Sequence, residues 1–209
     1  MDSIVNIASQ YVIDKFNNSL PAGIIYHNLQ HTKDVVQAAN RIAKYSKINR
    51  DQLELLILAA WFHDIGIIDQ YSNHEERSVV ICTNFLKQHN YPLEKIKKIT
   101  QIIRSTRIPQ KPASLLERIL CDADLSHIGK RRFNLRSMLL RYEWEKMIGK
   151  KFSEFEWLNT NFNFIKNNKF RTFYAKSYFN EGRKKNLSKL REKLKSYKII
   201  PPPKHKSLS

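Results

Sequence analysis

The sequence predicts an all-α fold. Apolar residues recur at helical spacing in one segment after another, and one run is apolar almost all round, as a helix buried on every side must be. The basic last third holds Phe152, Phe155, Leu158, Phe162, Phe170, Phe173, Tyr174 and Tyr178, too many to stay exposed, and reads as further helices packed over that first core.

The elements follow in order. The opening stretch MDSIVNIASQYVIDKF is amphipathic and lacks the basic start and continuous apolar core of a signal peptide. No stretch reaches the roughly 18 apolar residues of a membrane span, so a cytoplasmic protein with no membrane partner is expected. Next comes YHNLQHTKDVVQAANRIAKY, in which His27 and His31 are four apart and Val35, Ala38, Ala39, Ile42 and Ala43 hold helical spacing. His31 opens that helix on its inward face. In LLILAAWFHDIGII, Leu55 to Phe62 form the buried helix, His63 and Asp64 stand at its inner end, and Gly66 suits its stop. SNHEERSVV starts another helix at His74, which continues through Val79, Val80, Phe85 and Leu86, with Glu75 and Glu76 in its first turn. Ile99, Ile102 and Ile103 lead to Arg104 at a helix end before the loop of Pro109 and Pro112. In SLLERILCDADLSHIG, the apolar face of Leu115, Leu116, Ile119, Leu120 and Ala123 includes Asp124, whereas Asp122 shares the side of Arg118 and is expected toward solvent.

Three helices thus each present ligand-type side chains on a buried face: His31, the pair His63 and Asp64, and Asp124. An unpaired buried charge is costly, so these groups need partners. A His capping a helix end and an Asp in the following turn is the simple reading of His63 and Asp64 alone. The four together describe a site of two imidazoles and two carboxylates for a divalent cation. Without thiolates, that donor set suits Mn, Fe, Co, Zn or Mg.

These residues resemble the HD superfamily of metal-dependent phosphohydrolases, whose pattern is H, then HD, then D on successive helices. YHNLQHT followed by VV is similar to the first motif, AAWFHDIG to the central one and CDADLSHIG to the last, so the resemblance runs from about Tyr26 to Gly129. ADLS is also similar to the last metal-ligand motif of cyclic nucleotide phosphodiesterases, which share the fold. The resemblance implies an HD-domain helical bundle with additional C-terminal helices and a metal held by His31, His63, Asp64 and Asp124. It also implies hydrolysis of a phosphoester or phosphoanhydride of a nucleotide or related small phosphorylated molecule by a metal-activated water. Binuclear relatives add further His ligands. His74 is placed for one of them, as a ligand or a phosphate-facing acid, or is simply the first residue of its helix. For the other, this chain has Arg104, Ser105 and Thr106 where such relatives carry His, which puts a full binuclear centre in doubt.

Arg104 and Arg107 are candidates for clamping phosphate, or else are solvated residues before the proline loop. His27 is either a proton donor or a packed helix-start residue. His127 is either an outer support of the site or structural.

Composition fits one soluble domain spanning residues 1–200, with the metal-site core at about 20–130, C-terminal helices at about 131–198 and a flexible tail at 199–209. Cys82 and Cys121 have no CxxC spacing and read as buried reduced thiols. Charge is uneven: residues 1–129 hold 15 Lys and Arg against 13 Asp and Glu, and residues 130–209 hold 22 against 6, within a formal total of +18. Lys130, Arg131, Arg132 and the helix from Arg183 to Lys195 therefore form either a funnel for anionic substrate or a solvated basic surface. A nucleotide-sensing or RNA-gripping module is the second reading of the chain, although it carries no RNA-binding signature and no Gly-rich phosphate loop. The oligomeric state is left open by the sequence.

Overall fold

Side-chain caps set where the helices begin. In the computed structural model, which describes residues 3–199, Ser3 accepts from the N–H of Asn6 ahead of α1 (Ile4–Ser19) and Asn28 from that of His31 ahead of α2 (Leu29–Lys44). Asn49 and Gln52 close a reciprocal capping box on α3 (Arg50–Phe62), and Ser153 and Glu156 do the same on α8 (Glu154–Asn167). The remaining helices are α4 (His74–Gln88), α5 (Leu93–Arg104), α6 (Leu115–Asp124), α7 (Phe133–Met147) and α9 (Phe173–Ile199). Two 3-10 turns, Ile65–Ile68 and Leu125–Gly129, follow α3 and α6. No strand occurs among the described residues, so the fold is all-α.

The core is built around α3. Leu55, Leu56, Ile57, Leu58, Ala59, Ala60 and Phe62 are all buried, and α1, α2, α5 and α6 pack on it. Each large side chain so enclosed stabilises the fold by roughly 1.5–3 kcal/mol, which makes α3 a rigid post for the residues at its end. Gly66 lies in the turn after α3, and its role differs from the expected helix stop. A Cβ there would lie 2.1 Å from the carbonyl oxygen of His74 and 2.5 Å from the N–H nitrogen of Ser78, so only glycine lets the turn reach the start of α4.

The C-terminal helices lie over this core. Helices α8 and α9 pack together, and α9 also presses on the Leu125–Gly129 turn. At that crossing a Cβ on Gly182 would stand 2.0 Å from the carbonyl oxygen of Gly129. The two backbones are in direct contact.

Three expectations need correction. Arg183 is buried and donates to the carbonyl oxygens of Ile165, Lys166 and Asn168, so it ties down the end of α8 and is no part of an outward basic face. Phe170 and Phe179 are buried as the aromatic content requires, but Phe173 is 82% exposed, and Tyr178 and Phe155 are exposed as well. Leu115, the first residue of α6, and Val80, in the middle of α4, are also exposed. No described helix is long and apolar enough to cross a membrane. The expected tail lies outside the described residues beyond Ile199.

Candidate metal centre

The inner end of α3 meets the starts of α2 and α4 and the end of α6, and four imidazoles converge there with two carboxylates. Nε2 of His31 lies 3.2 Å from Oδ2 of Asp64 and 3.4 Å from Oδ1 of Asp124. Nε2 of His63 lies 3.1 Å from Oδ2 of Asp64, and Nε2 of His74 lies 3.4 Å from Oδ1 of the same carboxylate. Donor atoms of His31, His63 and Asp124 all fall within 4.8 Å of one another, and those of His27, Asp64 and His74 form a second such set.

Backbone contacts decide which nitrogens face the centre. Nδ1 of His63 is 2.8 Å from the carbonyl oxygen of Ala60, and Nδ1 of His74 is 2.9 Å from that of Tyr71. A carbonyl only accepts, so both rings carry their proton on Nδ1 and turn the Nε2 lone pair inward. Asn73, left-handed at φ 60°, bends the chain so that His74 heads α4 at this spot. On the far side Gln110 donates to Oδ2 of Asp124 at 3.0 Å and leaves Oδ1 toward His31. Arg171 in turn holds Gln110, donating to its side-chain oxygen at 3.3 Å.

The donor set fits a divalent cation. Nε2 of His31 and Nε2 of His63 are buried yet make no hydrogen bond, although carboxylate oxygens stand beside them. Buried polar atoms without partners are rare. Two ligands each about 2.1 Å from one ion are about 3.0–3.4 Å apart, the spacing these nitrogens and oxygens keep. Burial would lower the pKa of His31, but Asp124 and Asp64 raise it to about 9, and Asp64 does the same for His74. Burial works against ionised Asp64, yet His63, His31 and His74 hold its carboxyl well below the usual range. The cluster is thus assembled to share positive charge, which a metal ion would supply in place of protons.

Two residues that the sequence did not single out complete the surroundings. Glu143 of α7 is fully buried, and accepts from the ring Nδ1 of His27, from the N–H groups of Ile25, Tyr26 and His27 at 2.9, 2.7 and 3.1 Å, and from the Tyr71 hydroxyl at 3.0 Å. His27 is fixed beside His74, their ring centroids 5.4 Å apart. Tyr26 lies against His31 and His127. His127 donates from Nδ1 to the carbonyl oxygen of Asp124, and burial drives its pKa down to about 4, so it is a neutral wall of the site.

The other expected residues distribute as follows. Arg107 lines a pocket of about 480 Å³ that opens beside His27, His74 and Asp124 and is walled by Phe133, Trp144, Trp157 and Phe164. Lys130 borders a separate cavity of about 410 Å³ against His31 and Asp124. Arg104 does not enter the pocket. The end of α5 lies beside the first turn of α4, and its guanidinium pairs with Glu76 at 2.9 Å on the exposed surface. Asp122 is not toward solvent: it is fully buried and accepts from the N–H of Arg171, the N–H of Thr172 at 2.6 Å and the Thr172 hydroxyl at 2.8 Å. It anchors the start of α9 on α6.

An all-helical bundle with an inward cluster of His and Asp from α2, the end of α3, α4 and α6 is a domain whose buried groups could hold a metal ion. Residues 28–128 match the HD domain family model, and the chain carries an HD domain over that range. Solved structures share the fold along nearly the whole chain. One from Lactobacillus plantarum is 18% identical with a TM-score of 0.68 over 95% of this chain and 98% of that one. One from Listeria innocua is 20% identical with a TM-score of 0.66 over 94% and 97%. A third, described as a predicted HD superfamily hydrolase from an uncultured Thermotogales bacterium, is 20% identical with a TM-score of 0.58 over 93% and 91%. No curated protein matches the chain significantly.

Proposed function

We propose that the chain is a metal-dependent phosphohydrolase acting on a nucleotide or a related small phosphorylated molecule. HD domains are generally metal-dependent phosphohydrolases. The observation that carries the reading is the pair of buried, partnerless Nε2 atoms of His31 and His63 facing the carboxylates of Asp64 and Asp124. A divalent ion held by these four residues would lower the pKa of a water and neutralise charge on the phosphoryl oxygens.

The protein's own groups do the rest. His74, at the rim of the cluster, faces the phosphoryl group as a further ligand or acid. With Glu143 accepting at Nδ1, a protonated His27 has its second N–H free for the cleft, where it donates to the leaving oxygen as the bond to phosphorus breaks. Arg107 at the pocket edge pairs with phosphate oxygens. Phe133, Trp144, Trp157 and Phe164 form an aromatic chamber of a size that suits a base. That chamber favours a nucleotide over a bare phosphate ester.

The test is turnover of a nucleotide panel by purified protein with Mn, Co, Mg, Zn or Fe, reading phosphate, pyrophosphate and nucleoside products. Release of one of these that is lost in His63→Ala supports the reading. A metal-loaded protein that turns over none of the panel overturns it. The second reading, a nucleotide-sensing or RNA-binding module with little turnover, draws on the formal charge of +18.

A further inference from the structure

On the other side of Lys130 from the metal centre, a second cleft of about 470 Å³ is lined by Arg41 of α2, by Lys130, Arg131 and Arg132 of the loop before α7, and by Tyr178 of α9. Unpaired cations are ordinary in a chain with 37 Lys and Arg against 19 Asp and Glu. Four that converge on one concavity are not. Among the described residues none of the four has a carboxylate within 4.0 Å, whereas the neighbouring Arg136 is paired with Asp34 at 2.5 Å. Lys130 is half-buried, and burial together with Arg136 and Arg41 lowers its pKa against the opposing pull of Asp34. A partly desolvated cation without a counter-ion is unfavourable until an anion arrives.

The cleft is also built to hold its shape. The direct backbone contact of Gly129 with Gly182 pins the basic loop to α9, and Asn186 donates to the carbonyl oxygens of Ile128 and Lys130 at 2.9 and 3.1 Å. Arg41 lies over the ring of Tyr178, 5.5 Å from its centroid, and donates to its hydroxyl at 3.2 Å. Such fixing removes much of the ordering cost of binding. Finally, the cavity against His31 and Asp124 has Lys130 and Arg132 in its own wall, so the two hollows share these cations.

We propose that this cleft is an anion subsite adjoining the metal centre across Lys130 and Arg132, and that it takes the non-scissile phosphates of a polyphosphorylated nucleotide whose scissile phosphate lies at the metal. The proposal rests on the phosphohydrolase reading and narrows its substrate class to chains of two or more phosphates. Guanidinium forks match phosphate oxygens pairwise, and four cations suit the charge of a di- or triphosphate better than that of one phosphate.

The test separates the cleft from catalysis by using metal-free protein and inorganic tripolyphosphate, with calorimetric titration at low salt. Tripolyphosphate should bind at least about tenfold tighter than phosphate, and each guanidinium removed should weaken it about tenfold. The variants are Arg131→Gln and Arg131→Gln with Arg132→Gln, both at exposed positions, with thermal melts to verify folding. His63→Ala should retain tripolyphosphate affinity. A protein that binds tripolyphosphate in this way but hydrolyses nothing keeps the cleft and overturns the phosphohydrolase reading. A hydrolysing protein whose double variant binds tripolyphosphate as the parent does overturns the cleft alone. Tighter binding of a single-stranded DNA decamer than of tripolyphosphate, lost in the same double variant, also overturns it and makes the surface a nucleic-acid groove.

Discussion

Glu143 on α7 holds the ring of His27, 116 residues earlier in the chain, by accepting from its Nδ1. The same carboxylate collects three backbone N–H groups from the segment that leads into α2. It therefore fixes both the candidate proton donor and the entry to the helix bearing His31. Glu143→Gln should leave metal content unchanged and lower kcat by about 10²-fold, the usual weight of a general acid. An unchanged kcat would remove His27 and Glu143 from the chemistry.

The same carboxylate makes stability depend on pH. Burial opposes its ionisation, but His27 and the N–H groups of Tyr26 and His27 outweigh burial and hold its pKa below the ordinary 4.5. A depressed folded pKa means stabilisation that is present above about 4.5 and lost as pH falls through the lower folded value. Glu143→Ala should cost about 3 kcal/mol at pH 7. In urea melts, the gap between parent and variant should narrow as pH falls below that range.

Asp122 and Asp124 should separate cleanly despite sitting two residues apart. Asp124→Ala should lose metal while keeping its fold, because Oδ1 faces His31. Asp122→Ala should keep its metal and lose about 2 kcal/mol, because its carboxylate caps the start of α9. Metal analysis beside thermal melts of the two variants distinguishes these roles.

The cysteines should be inert in the native protein. Burial pushes the Cys121 thiol up to about 12 and Cys82 higher still, so neither forms thiolate near neutral pH. Titration with a thiol-reactive disulfide should register no fast-reacting group until denaturant is added. Rapid reaction of the folded protein would contradict the burial of both.

Much of the candidate cluster was legible in the sequence for one reason: its side chains ride on apolar faces. His31, His63 and Asp124 interrupt periodic runs of Val, Ala, Ile and Leu, so their inward direction follows from helix geometry alone. His74 could be placed at a helix start but not against Asp64, since that contact depends on the left-handed turn at Asn73 and the close approach at Gly66. Glu143 gave no signal, because RYEWEK reads like any charged helix surface and its partners lie 72 to 118 residues away. Asp122 misled for a related reason. Its side of α6 appears polar until α9, some 50 residues on, closes over it.

Whether His31, His63, Asp64 and Asp124 hold a divalent ion is decided by elemental analysis of the purified parent beside His63→Ala and Asp64→Ala. The parent chain should carry at least one tightly held divalent ion, and folded variants should bind it at least about 10–100-fold more weakly, as loss of a ligand requires. A folded Asp64→Ala protein with its full complement of metal, or a parent that takes up none of Mn, Fe, Co, Zn or Mg, would contradict it.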